Sequence, residues 1–175
     1  MADLTHGSDL RLAPAIGPLV RSGLSVRQAL DRVRAAGFEA ITLDGTVRDL
    51  RARHLSRQAR RDVSATLRRA NLEPAGLDLF IPRPEFLQAD TVDRALAATL
   101  DAIELAADLG NLPVHLALPV DNLGSQVREA LLGRADTCGV TLGVHAEDAL
   151  DPLEEWIRDS AAAHLGIGLD PAALL

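Results

Sequence analysis

At 175 residues the chain has the length of one domain, 1–175, enough to bury a core. Aromatic residues make up 2% and tyrosine is absent, so the core must be built from Leu, Ala, Val and Ile. A net charge of -7 argues against a nucleic acid or a membrane surface as partner of the whole molecule.

That charge is uneven. Residues 1–100 carry 15 Arg against 12 acids, and residues 101–175 carry 3 Arg against 13 acids. All 18 basic residues are arginine, which excludes a Schiff-base lysine and a P-loop lysine. The single Cys138 cannot form an intramolecular disulfide, so a reducing cytoplasm is expected. The start, MADLTHGSDLRLAP, lacks the basic and apolar regions of a signal peptide. No apolar run approaches the roughly 20 residues of a membrane span.

In chain order, Leu10 to Ile16 suggests a first, irregular strand interrupted by Pro14. Ser25 and Gln28 form a capping box that opens a helix closed by Gly37. A second strand is expected at Phe38–Asp44, then an Arg-rich loop, then a helix from Ser56 to about Asn71. The third strand is placed at Ala75–Ile81, and Pro82-Arg83-Pro84 reads as a stiff, non-helical loop. Asp90 or Thr91 caps a long helix to Leu109, stopped by Gly110. Val114–Leu118 is a fourth strand, and a helix at about Ser125–Asp136 comes next. The fifth strand begins at Val140 and opens into a polar end at His145, Glu147 and Asp148. Asp151-Pro152-Leu153-Glu154 reads as a helix start with a capping aspartate, and Leu165–Asp170 as a sixth strand.

The strands share one parity. Ile41, Leu43, Leu77, Leu79, Val114, Leu116, Val140, Leu142, Val144, Ile167 and Leu169 fall on one face. Thr42, Asp44, Gly76, Asp78, His115, Thr141, Gly143, His145, Gly166, Gly168 and Asp170 fall on the other. A doubly wound sheet buries both faces under helices and needs bulk on both. One bulky face and one slim, increasingly polar face predict an α/β fold of the (β/α)8 TIM-barrel type. With about six βα units it is incomplete. The stop at 171–175, just past a strand end, reads as an interruption in the middle of a fold.

LSVRQALDRVRAAGFEAITLDGT at 24–46, RRANLEPAGLDLFIPRPEF at 68–86 and DRALAATLDAIELAADLGNLPVHLAL at 93–118 resemble the xylose isomerase-like barrel superfamily. GVTLGVHAED at 139–148 and LGIGLDPA at 165–172 extend the resemblance over most of the chain. It implies a sugar or sugar-phosphate isomerase or epimerase, moving a proton between neighbouring carbons beside a divalent metal (Mg, Mn or Zn). The family's ligands are a glutamate, an aspartate followed three residues on by a histidine, a further histidine and a final glutamate. On that pattern His145 and Asp170 are the metal candidates, with Glu147 and Asp148 as catalytic candidates. Here His145 stands where the pattern has a glutamate, and Ala173 where it has a histidine.

Asp44, Asp78, Arg83 and His115 are the candidate substrate-binding residues. Asp44 and Asp78 end inward-facing strands, where a carboxylate either contacts substrate or caps loop amides. Arg83 sits at the mouth on a stiff loop, suited to an anion. His115 lies mid-strand, where a hydrogen-bonded core histidine is the competing reading. The run from Arg48 to Arg69 reads as the solvated face of a helix and its loop, and Cys138 as inert.

These residues are compatible with three functions: the isomerase or epimerase, a non-catalytic or degenerate barrel binding a small polyol or anion, and a metal-dependent phosphodiesterase of the endonuclease IV type. The negative charge and few aromatics weigh against DNA for the third. A homo-oligomer covering open barrel edges is a further expectation.

Overall fold

A computed structural model of the chain describes residues 12–145, 150–160 and 163–168. Five parallel strands, β1 (Ala40–Asp44), β2 (Glu73–Leu79), β3 (Val114–Ala117), β4 (Leu142–His145) and β5 (Leu165–Ile167), form one sheet. The helices are α1 (Gly17–Arg21), α2 (Val26–Ala35), α3 (Arg57–Ala70), α4 (Val92–Asp108), α5 (Ser125–Cys138) and α6 (Leu150–Ser160).

The strand order is strictly sequential, β1-β2-β3-β4-β5. Crossovers between parallel strands are right-handed. If every crossover also steps the same way, every connecting helix lands on the same side of the sheet. A doubly wound sheet reverses its order to place helices on both sides. The topology is therefore that of a TIM barrel, present as an open arc of five strands among the described residues.

The parity read from the sequence is the reason the arc holds together. Ile41, Leu43, Leu77, Val114, Leu116, Leu142 and Val144 are at most 1% exposed and face the helices. They meet Ile103, Leu105 and Ala106 of α4 and Leu131 and Ala135 of α5 in one continuous core. Their slim neighbours, such as Asp78, His115, Gly143 and His145, are only half-buried. Ile167 departs from its expected burial at 41% exposed; it lies in β5, the edge strand of the described sheet.

The helix signals are met in part. Ser25 Oγ accepts from Gln28 N at 3.2 Å, and Gln28 Oε1 accepts from Ser25 N at 2.9 Å, closing the capping box. Ser56 Oγ accepts from Ala59 N at 3.2 Å, and Asn71 ends α3 in the left-handed conformation. Thr91 precedes α4 but does not cap it with its side chain; its hydroxyl donates to the Glu85 carbonyl at 2.8 Å instead. Asp151 lies inside the first turn of the described α6 and not ahead of it.

Three segments differ further. Of the expected first strand, Leu10 and Arg11 lie outside the described residues, and the rest forms one parallel bridge, Ala15 to Thr42, flanked by Ile16 N→Thr42 O at 2.9 Å and Thr42 N→Pro14 O at 3.0 Å. Pro14 and Pro18 lack the N–H groups that would extend it, and α1 starts at once with Pro18 in its first turn. Strand β2 ends at Leu79, two residues before the expected end, because Ile81 N turns back to Leu79 O at 3.0 Å. The segment Pro82-Arg83-Pro84 is not free of helix: Arg83–Phe86 forms one 3-10 turn, in which Pro84 occupies a first-turn position that needs no N–H.

Candidate functional site

No residue of a described helix lines the slim side of the sheet, which is open. It forms a trough of about 800 Å³ whose lining includes Thr42, Asp78, Phe80, His115, Gly143 and His145. Asp78 of β2 and His115 of β3 are register partners, so the sheet itself sets them side by side. His115 Nδ1 lies 2.8 Å from Asp78 Oδ1. An ionised carboxylate can only accept there, so Nδ1 is the donor, and in the neutral imidazole that leaves Nε2 as the acceptor.

His145 of β4 stands beside this pair. Its ring is edge-on to His115 at 5.9 Å between centroids and edge-on to Phe80 at 5.4 Å. Two imidazoles and a carboxylate therefore share the trough floor, walled on one side by an aromatic ring.

Glycines make room for them. A Cβ at Gly76 would fall 2.9 Å from His115 Cε1, and one at Gly143 would fall 3.2 Å from His115 Cδ2. The His115 ring thus lies over the bare backbone of both neighbouring strands. A Cβ at Gly168 would fall 2.4 Å from His145 Cδ2. These glycines escape a motif search, although their parity with the two histidines was a legible signal.

The other residues singled out from the sequence have separate roles. Arg83 reaches from the turn after β2 to the end of β4, where its Nη2 donates to the His145 carbonyl at 3.3 Å. Asp44 is buried and is not part of the trough lining. It accepts from the Thr46 amide at 2.8 Å, the Thr46 hydroxyl at 2.6 Å and Arg21 Nη1 at 2.7 Å. That is the loop-capping geometry, with every contact supplied by the chain itself. A Cβ at Gly17 would overlap Asp44 Oδ2 at 1.9 Å, so α1 must begin with glycine for the ion pair to form. Glu147, Asp148 and Asp170 lie outside the described residues.

The arginine run behaves as a solvated helix face. Arg57, Arg61 and Arg68 are exposed along α3, while Arg60 pairs with Asp108 at 2.6 Å. Cys138 is a free, half-buried thiol.

No family model matches the chain, and no curated protein matches it. Solved structures do. A xylose isomerase-like TIM barrel protein from Mycobacterium smegmatis, determined in complex with magnesium, superposes with a TM-score of 0.68 at 17% identity, covering 95% of this chain and 66% of that one. A xylose isomerase domain protein from Planctomyces limnophilus gives 0.67 at 15% identity, covering 93% and 62%. The probable 3-DHS dehydratase AsbF of Bacillus anthracis, involved in petrobactin synthesis, gives 0.61 at 16% identity, covering 92% and 63%. The chain therefore has the fold of the xylose isomerase-like TIM barrels, as the sequence resemblance implied. It spans about two thirds of the length of these proteins.

A divalent metal is the cofactor that this fold suggests. Such an ion requires several oxygen or nitrogen ligands on one point. Among the described residues no three His, Cys, Asp or Glu side chains converge in that way. His145 is present in the trough, but His115 Nδ1 and Asp78 are already committed to each other. The described residues do not make up the ligand set. No described helix is long and apolar enough to cross a membrane.

Proposed function

We propose that the trough binds a small polar substrate of the sugar or sugar-phosphate class, and that His115, oriented by Asp78, moves a proton on it in an isomerase- or epimerase-type reaction. The observation that carries this reading is the 2.8 Å contact between Asp78 Oδ1 and His115 Nδ1 on the open face of the sheet. A histidine held by a carboxylate keeps Nε2 available as a base, and Asp78 stabilises the imidazolium that forms when a proton is taken. In such a reaction Nε2 takes a proton from the carbon next to a carbonyl, and the electron pair moves to the carbonyl oxygen, giving an enediolate. The hydroxyl proton passes to that oxygen, and the imidazolium returns its own proton to the former carbonyl carbon; an epimerisation would need a second proton donor on the opposite face. His145, which lines the trough, would contact a substrate hydroxyl, and Arg83, which donates to the His145 carbonyl, would act from the rim on an anionic group.

The experiment is proton exchange. The protein is incubated in D₂O with a panel of ketoses and ketose phosphates, and deuterium at the carbon beside the carbonyl is read by NMR. Incorporation that disappears in His115→Asn supports the reading; none across the panel, with the protein folded, overturns it.

A second reading is favoured by the absence of a converging ligand set among the described residues. In it the trough binds a polyol or small anion without turnover. Ligand-induced thermal stabilisation with no exchange would select it. A metal ion bound by His145 together with Asp170, a cytoplasmic location and an oligomer covering the sheet edge remain part of the first reading as proposals. The single cysteine is in keeping with a reducing compartment.

A further inference from the structure

A second cavity lies on the other side of the sheet from the trough. It has a volume of about 240 Å³ and sits between the C-terminal end of β2, one face of α4 and the loop after β1. Asp78 and Leu79 are consecutive and point to opposite sides: Asp78 lines the trough and Leu79 lines this cavity. The two spaces are therefore separated by the sheet.

Its wall is apolar, with Leu79, Ala98, Ala102 and Leu105 prominent, and its rim is charged. Arg51, Arg53 and Arg94 face it, against Glu85 and Asp101. Arg94 and Glu85 neutralise each other at 3.0 Å. That leaves two guanidinium groups against one carboxylate. Arg51 gives its Nε to the Thr46 carbonyl at 2.9 Å, which anchors the side chain at the rim. Its terminal nitrogens have no partner among the described residues, nor does the Arg53 guanidinium. Arginine with free terminal nitrogens beside an apolar wall is suited to a carboxylate carried on a hydrocarbon body. A cavity of about 150 Å³ admits benzene, so this one has room for a chain of about six to eight carbons.

We propose that this cavity between β2 and α4 binds a small amphipathic monoanion, its hydrocarbon part against Ala98, Ala102 and Leu105 and its carboxylate at Arg51 and Arg53. The site is independent of the trough and of the chemistry proposed there. It gives the domain a second ligand position next to the same strand that carries Asp78.

The test is calorimetric titration of the full chain with octanoate, 1-octanol and octylamine, repeated on Arg51→Gln and Ala98→Leu. Octanoate is expected to bind saturably at one site, with octanol and octylamine weaker by about tenfold or more, the scale of one lost charge-assisted contact. Arg51→Gln should weaken octanoate by a similar factor and leave octanol unchanged. Ala98→Leu fills the cavity and should abolish binding without lowering the melting temperature. If Ala98→Leu does not fold, the methyl resonances of Ala98 and Leu105 in the unaltered protein supply the readout, since both must shift on octanoate addition. Absence of saturable octanoate binding, equal binding of octylamine, octanoate binding retained by folded Ala98→Leu, or unmoved methyls would each overturn the proposal.

Discussion

Asp78 and His115 are register partners on adjacent parallel strands, and their side chains meet at 2.8 Å on the uncovered face. The pairing is built by the sheet and not by a loop, so its geometry is as rigid as the ladder beneath it. Replacing Asp78 by asparagine keeps the shape and removes the charge. The amide can still present its oxygen to Nδ1–H, but it no longer stabilises an imidazolium. We expect any proton exchange at the substrate carbon to fall by about 10²-fold or more in Asp78→Asn. The melting temperature should change little, because both side chains are partly solvated. A ¹⁵N spectrum of the imidazole in the unaltered protein should show the Nδ1–H tautomer.

The glycines beneath the histidines give a second prediction. Gly76→Ala would place a methyl 2.9 Å from His115 Cε1, and Gly168→Ala would place one 2.4 Å from His145 Cδ2. In each case the ring must move, because the new methyl is fixed to a strand or to the residue just after one. Overpacking of this kind costs about 1–3 kcal/mol. Gly76→Ala should also break the Asp78 contact, so chemical denaturation and the His115 tautomer should change together. Gly124→Ala, where a Cβ meets nothing within 4 Å, serves as the control.

The bulky face supports a third prediction. Leu142 is fully buried in β4, between β3 and β5, and belongs to the main core. Leu142→Ala should destabilise the domain by about 2–5 kcal/mol. Urea unfolding monitored by circular dichroism measures this, and the single Trp156, packed in the same core, provides a fluorescence probe of the same transition.

The fold was legible because it depends on a period of two. Ile41, Leu43, Leu77, Leu116 and Val144 announce a buried face whatever loops and helices join their strands, and Thr42, Asp78 and His115 announce a slim one. Strand ends were less legible, since Ile81 continues the apolar pattern although its amide turns back on Leu79. The turn at Arg83–Phe86 was hidden by proline, which signals a break in an α-helix but fits the first turn of a 3-10 helix. At the site, Asp78 and His115 were legible only as separate residues. Their contact depends on the stagger between β2 and β3, which no local pattern encodes. Asp44 carries the same sequence signature as Asp78, a carboxylate ending an inward face. Thr46, two residues on, and Arg21, arriving from α1 23 residues earlier in the chain, separate their roles.

That contrast is itself testable. Asp44 is buried with three hydrogen bonds from its own chain, whereas Asp78 faces the trough and meets His115 there. Asp44→Asn puts an amide NH₂ where a carboxylate oxygen accepted from Thr46 or Arg21, leaving a buried donor facing a donor. The cost should be about 1–3 kcal/mol. It should appear as a lower urea midpoint, with ligand affinity in the trough unchanged once the protein is folded. Asp78→Asn should do the reverse, sparing the midpoint and impairing the trough. If Asp44→Asn instead weakened ligand binding at full stability, Asp44 would belong to the site, and the loop-capping role assigned to it would fail.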